Sequence, residues 1–147
     1  MTPPIEPGAI RPATARDAAP CAAMVNAFID AAPWHPRVHT AEDVARHYRD
    51  TVWTQRQVWV AGDPPHGFVA IDADGCITAL YADPPRAGTG TRLITHAKAR
   101  HTRLRLWTHQ PNTAAQAFYA AQGFTELRRT DGDNEESVPD VLLEWTR

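Results

Sequence analysis

Tyr81-Ala-Asp-Pro-Pro-Arg-Ala-Gly-Thr-Gly-Thr-Arg-Leu-Ile94 ends a strand, turns through small residues and opens a helix. Cys76 to Ala82 upstream reads as the strand, and Gly88 to Ala99 sets Leu93, Ile94 and Ala97 on one helical face. Arg103 to Thr108 then alternates as a strand does, so strand, helix, strand predicts a right-handed crossover between parallel neighbours. The first N–H groups of a helix lack partners within it, and the macrodipole adds partial positive charge there, so a diphosphate can rest on such a turn where side chains leave room. Gly88 and Gly90 leave that room, the Thr89 and Thr91 hydroxyls are further donors, and Arg86 and Arg92 can add charge at the rim. A nucleotide P-loop needs Gly-Lys-Ser/Thr, and a dinucleotide fingerprint needs a third glycine where Leu93 stands, so neither fits. For the turn taken alone, a glycine-rich helix start that binds nothing stays open.

Further from the turn, Gln57 to Ala61, Gly67 to Asp72 and Cys76 to Ala82, with an Asp74-Gly75 turn, predict an antiparallel meander. Ile10 and Arg11 form a short first strand after an extended lead-in over residues 1–9, since five of the thirteen prolines fall in the first twenty residues. Asp17 to Asp30 spaces Ala18, Cys21, Ala22, Val25, Phe28 and Ile29 as a helix, and Thr40 caps a second one with Val44, His47 and Tyr48 inward. Asn112 caps a later helix with Ala114, Ala117, Phe118 and Ala121 toward the core, ended by Gly123. Phe124 to Arg129 and Val141 to Trp145 close the fold as strands. The class is α+β: a mixed, mainly antiparallel sheet with one parallel crossover, flanked by helices.

At 147 residues, 43% hydrophobic and 22% charged, the chain fits one core and one domain, residues 1–147. Fifteen Lys and Arg against seventeen Asp and Glu leave a net charge of −2, which supplies no field for nucleic acid or an anionic membrane. No apolar run nears the roughly 18 residues of a membrane span, and the start lacks the pattern of a secretory signal, so the expected location is the cytoplasm. Cys21 and Cys76 have no metal-ligand spacing and read as reduced, buried thiols. His35 and His39 flank Pro36 with no third ligand at metal spacing, so no metal is expected.

Leu106 to Phe124 contains N-x-x-A-x-x-F-Y-x-x-x-G-F, carried by Asn112, Ala115, Phe118, Tyr119, Gly123 and Phe124. With the glycine turn about two dozen residues earlier, this resembles the GNAT superfamily of N-acetyltransferases, over almost the whole chain and most closely from Ile77 to Phe124. The resemblance implies acetyl-CoA as donor, lying where the parallel strands splay. Its diphosphate would sit on Arg86, Ala87, Gly88, Thr89, Gly90 and Thr91, its pantetheine arm along Leu80, Tyr81 and Ala82, with Asn112, Ala115 and Phe118 beside it. Pro85 departs from the family, which usually has Gln or Arg there, and a proline has no N–H to give, so weaker cofactor binding is expected.

By the same resemblance, a backbone N–H near Tyr81 or Ala82 meets the oxyanion, and Tyr119 protonates the departing thiolate, a job suited to a phenol. The alternative for Tyr119 is packing beside Phe118. Many relatives carry an acidic residue on the strand that here has Thr78 and Ala79, so the base is missing from its usual place. Trp34, His35 and His39 lie in the loop that borders the acceptor in the family. Glu135 and Glu136 belong to the acidic loop Thr130 to Asp140, which either folds back over the acceptor or is a solvated turn. His109 can face the same cleft, although a surface imidazole is the commoner outcome. The expected acceptor is a primary amine on a small molecule or peptide. Protein N-terminal or lysine acetylation and a non-catalytic acyl-CoA-binding module are the alternatives, and relatives often form homodimers.

Overall fold

The chain runs β1 (Ile10–Pro12), α1 (Ala18–Ala31), α2 (Ala41–His47), α3 (Trp53–Gln55), β2 (Gln57–Ala61), β3 (Gly67–Ile71), β4 (Ile77–Ala82), α4 (Thr89–Lys98), β5 (Arg103–His109), α5 (Thr113–Ala121), β6 (Thr125–Thr130) and β7 (Asp140–Thr146). This is a computed structural model that describes residues 9–85 and 87–147; the expected extended lead-in up to residue 8, and Arg86, lie outside the described residues. A π-type turn at Tyr48–Val52 joins α2 to α3.

Strands β1 to β4 form an antiparallel sheet in chain order, and β5-β7-β6 form a second antiparallel sheet. The parallel crossover appears as expected, but the link to β5 is one parallel bridge just before β4, Cys76 with Arg105, where the Arg105 N–H donates to the Gly75 carbonyl at 3.1 Å. Past that bridge no ladder joins them among the described residues, and residues of both strands line one cavity.

β3 is buried along its whole length, and its pleat divides the core. Val69 and Ile71 pack with Leu93, Ile94 and Ala97 of α4 and with Leu104 and Leu106 of β5. Phe68 and Ala70 pack on the opposite face with Cys21, Ala22 and Val25 of α1 and with Tyr48 and Val52. Each such fully buried large apolar side chain contributes roughly 1.5–3 kcal/mol of transfer free energy. Asp17, 3% exposed, ties β1 to α1, accepting from both Arg11 Nη atoms at 2.8 and 3.0 Å and from the Thr14 N–H at 2.7 Å.

Local signals act as expected at the helix ends. Thr40 Oγ1 accepts from the Asp43 N–H and Asn112 Oδ1 from the Ala115 N–H, each at 3.1 Å. Gly123 stops α5 with φ +88°. Two expected faces are corrected. Phe118 packs on the core as expected, but Ala114, Ala117 and Ala121 are exposed, because α5 turns Ala115 and Tyr119 inward beside Phe118 instead. His47 is also exposed, and the inward contact at that end falls to Tyr48 in the π-type turn.

Candidate active site

Two cavities meet at the gap between β4 and β5, and both are lined by Leu80, Tyr81, Ala82, Ala115 and Tyr119. The first, ≈ 450 Å³, is completed by Pro85, Gly88, Gly90 and Thr91 from the glycine turn and by Ala114 and Phe118 of α5. The second, ≈ 390 Å³, reaches Thr78 on β4, Leu106 to His109 on β5, and Phe28, His35, Asn112 and Glu136. Tyr119 therefore stands at the junction of the two cavities.

Gly88 adopts φ +83° directly before α4, a conformation that an L side chain rarely takes, and a Cβ built there meets nothing within 4 Å. A Cβ at Gly90 would come 3.4 Å from the Phe118 ring. The turn thus presents open space in front of the unpartnered N–H groups of a ten-residue helix, and this fits a diphosphate. Thr89 corrects an expectation: its side chain is buried, 2% exposed, with Oγ1 3.4 Å from His66 Nδ1, so only its backbone faces the turn. Ala87 does not line the cavity. Asn112 spends its side-chain oxygen on the helix cap and lines the second cavity rather than the first.

Tyr119 is 8% exposed, edge-on to Phe118 and Phe124 with centroids 5.1 and 5.4 Å apart. Burial pushes its phenol well above the usual value, and nearby Tyr81 adds to the effect. Burial likewise pushes Tyr81 up to about 12, with the charge of Glu136 contributing. Both hydroxyls stay protonated through the physiological range.

Rings wall the second cavity. Phe28 packs on Tyr81 at 5.5 Å and Trp34 at 5.9 Å, and Trp34 meets His35 at 5.5 Å and His109 at 5.3 Å. Glu136 lies 3.8 Å from His109, Oε2 to Nε2. Burial lowers the His109 imidazole, and the Glu136 charge works against it. Of the expected acceptor residues, His35 and Glu136 reach the cavity, and Trp34 backs it through its ring contacts. His39 and Glu135 do not: they pair with each other and line a separate cavity with Val25, Val44 and Tyr48. The acidic loop is divided: Asp140 is buried and accepts from Thr130 Oγ1 at 2.5 Å and Asn134 Nδ2 at 3.0 Å, Glu136 is half-buried, and Asp131, Asp133 and Glu135 are exposed. Phe28 was not foreseen at the site. Its apolar helical spacing marked it for the core, and no local signal distinguishes the last turn of α1.

These features define a split sheet with two cavities meeting at the split, and comparisons with known proteins identify the family that the chain belongs to. The model of the acetyltransferase (GNAT) family matches residues 23–124, and the chain belongs to that family of acetyl-CoA-dependent N-acetyltransferases. The peptidyl-lysine N-acetyltransferase YiaC of Escherichia coli (strain K12) is 28% identical over 130 residues, spanning 84% of this chain and 88% of YiaC. Among solved structures, apo YjaB from Escherichia coli superposes with a TM-score of 0.74 at 23% identity, over 93% of this chain and 96% of that one. The yncA protein of Salmonella typhimurium, solved with acetyl-CoA, gives 0.70 at 16% identity, over 95% and 93%. No helix among the described residues is long and apolar enough to cross a membrane.

Proposed function

We propose that this chain acetylates a primary amine presented by a peptide, with a lysine-type ammonium as the favoured acceptor. The observation that carries this reading is the meeting of the two cavities at Tyr119, which gives donor and acceptor separate approaches to one proton donor. Acetyl-CoA supplies the activated acyl group as a thioester. The α4 start with Gly88 and Gly90 holds the diphosphate, and the edge of β4 at Leu80 to Ala82, unpaired toward β5, offers backbone groups to the amides of the pantetheine arm. Tyr119 keeps its proton until a thiolate departs and then donates it.

On the acceptor side Glu136 supplies a half-buried negative charge beside an aromatic wall, which suits an alkylammonium. A further cavity of ≈ 420 Å³ shares Trp107, Thr108, His109 and Glu136 and adds Asp133, Asp140 and one cation, Arg128, so the acceptor half has further polar space beside it, which favours a peptide over a bare amine. The likeness to a peptidyl-lysine N-acetyltransferase supports the same choice. The test incubates the full chain with acetyl-CoA and peptides carrying a free lysine, a free α-amine, or neither, following thiol release and acetyl-peptide mass. Lysine-dependent release is expected. Turnover of α-amine peptides alone would shift the acceptor to protein N-termini, and bound acetyl-CoA without turnover on any peptide would replace the reading with a non-catalytic acyl-CoA-binding module.

A further inference from the structure

His35, His109 and Glu136 come from the α1–α2 loop, the end of β5 and the β6–β7 loop, and each brings one potential ligand atom within 4.8 Å of the other two. All three are half-buried, and the two imidazoles meet edge-on with centroids 5.3 Å apart. The His35 Nδ1 lies 2.8 Å from the Pro36 carbonyl oxygen, which can only accept, so Nδ1 carries the proton and Nε2 keeps its lone pair. A backbone carbonyl in that place is the usual orienting partner of a metal-bound histidine. We propose that these three side chains bind one zinc-class divalent cation, with a fourth coordination position open to the cleft.

The donor set decides the metal. Two imidazole nitrogens and one carboxylate suit zinc with an open position, whereas calcium and magnesium take oxygen ligands. With bonds of about 2.1 Å, tetrahedral ligand atoms stand about 3.4 Å apart, so the cluster must close by roughly an ångström. His109 is fixed on a strand and held by Trp34, while His35 and Glu136 ride on loops and can make that adjustment by rotation about their side-chain bonds. The exposed pair His39 and Glu135 offers the same chemistry with no third ligand grouped with it among the described residues, and makes an internal control. Cation binding at Glu136 would take the carboxylate that the acceptor ammonium needs, and a zinc-bound amine has no free lone pair for attack, so metal and acceptor exclude each other. That consequence rests on the function proposed above, and the site itself does not.

The experiment titrates the metal-free full chain with Zn²⁺ against a chromophoric chelator and repeats it with Co²⁺, whose visible absorption marks four-coordination. One equivalent is expected. His35→Ala and Glu136→Gln should each weaken it by at least the roughly 10–100-fold that even an outer-shell partner is worth. His39→Ala should keep the wild-type affinity, and Mg²⁺ should not compete. Wild-type affinity in both His35→Ala and Glu136→Gln, or wild-type binding no tighter than that of the two variants, would overturn the site. Because this titration needs no acceptor, it stands or falls apart from acetyl transfer. Zinc raising the apparent KM for a lysine peptide in the wild type and not in His35→Ala is the expected link between the two.

Discussion

Replacing Gly90 by Asp separates the stability of the turn from its ligand. The position has no left-handed φ, a Cβ there reaches the Phe118 ring at 3.4 and 3.5 Å, and a ring edge can yield a few tenths of an ångström. No acidic residue occupies the first turn of α4, so the new carboxylate at a helix start should contribute about 0.3–1 kcal/mol, and the free protein should melt at or slightly above the wild-type temperature. The bound state moves the other way. A carboxylate about 6 Å from one phosphate charge, at an effective dielectric near 20, costs about 2.8 kcal/mol, or about 100-fold in affinity. At acetyl-CoA 100 times the wild-type Kd, ligand stabilisation would fall from about 2.7 to about 0.4 kcal/mol. In a chain of this size that is a Tm shift shrinking from about 5–10 °C to about 1 °C. Thermal melts with and without acetyl-CoA measure both quantities. Gly90→Asn, with similar bulk and no charge, should retain most of the shift. A folded Gly90→Asp protein with the full wild-type shift would refute the diphosphate assignment.

Tyr119→Phe keeps both ring contacts and deletes the donor, so kcat should fall by roughly 10 to 1,000-fold with Tm little changed; full activity would make Tyr119 a packing residue. Glu136→Gln should raise KM for a cationic peptide and leave that for acetyl-CoA alone, and equal losses on cationic and neutral acceptors would argue against charge recognition. Burial alone would raise the Asp17 carboxyl, but hydrogen bonds from Arg11 and Thr14, with the Arg11 charge, hold it below its usual value. Its stabilisation is therefore present above the unfolded carboxylate pKa of about 3.9 and lost as pH falls through the lower folded value. Asp17→Asn should cost about 3–5 kcal/mol at pH 7 in urea unfolding and flatten that acid dependence, and an unchanged acid profile would discount the pair.

What the sequence made legible was local. The strands of the meander, the Thr40 and Asn112 caps and the glycine turn all follow from neighbours a few residues apart, where periodicity and capping chemistry operate, whereas Tyr119 was marked by the family resemblance and not by its spacing. The inward face of α5 was misread because Thr-Ala-Ala-Gln-Ala-Phe-Tyr-Ala-Ala has small residues on every side, so a 3.6-residue period selects no single stripe. Thr89 turns inward because Gly67, 22 positions away, leaves a hollow: a Cβ at Gly67 would come 2.6 Å from the Thr89 methyl group. Likewise the gathering of His35 with His109 and Glu136, rather than with His39, depends on how two loops and a strand end meet, and no spacing along the chain encodes it.

Among the described residues a single bridge, just before β4, links it to β5, and that sparseness carries a cost in stability. A second or third bridge would add ladder hydrogen bonds at about 1 kcal/mol each and knit the two sheets into one, giving a sturdier protein with nothing between its halves. Selection for heat resistance alone would push toward that zipped form, which would close the space that the two cavities occupy. Stabilising substitutions in this chain should therefore be sought away from the facing edges of these two strands, in α2 and α3, none of whose residues lines the two cavities that meet at Tyr119.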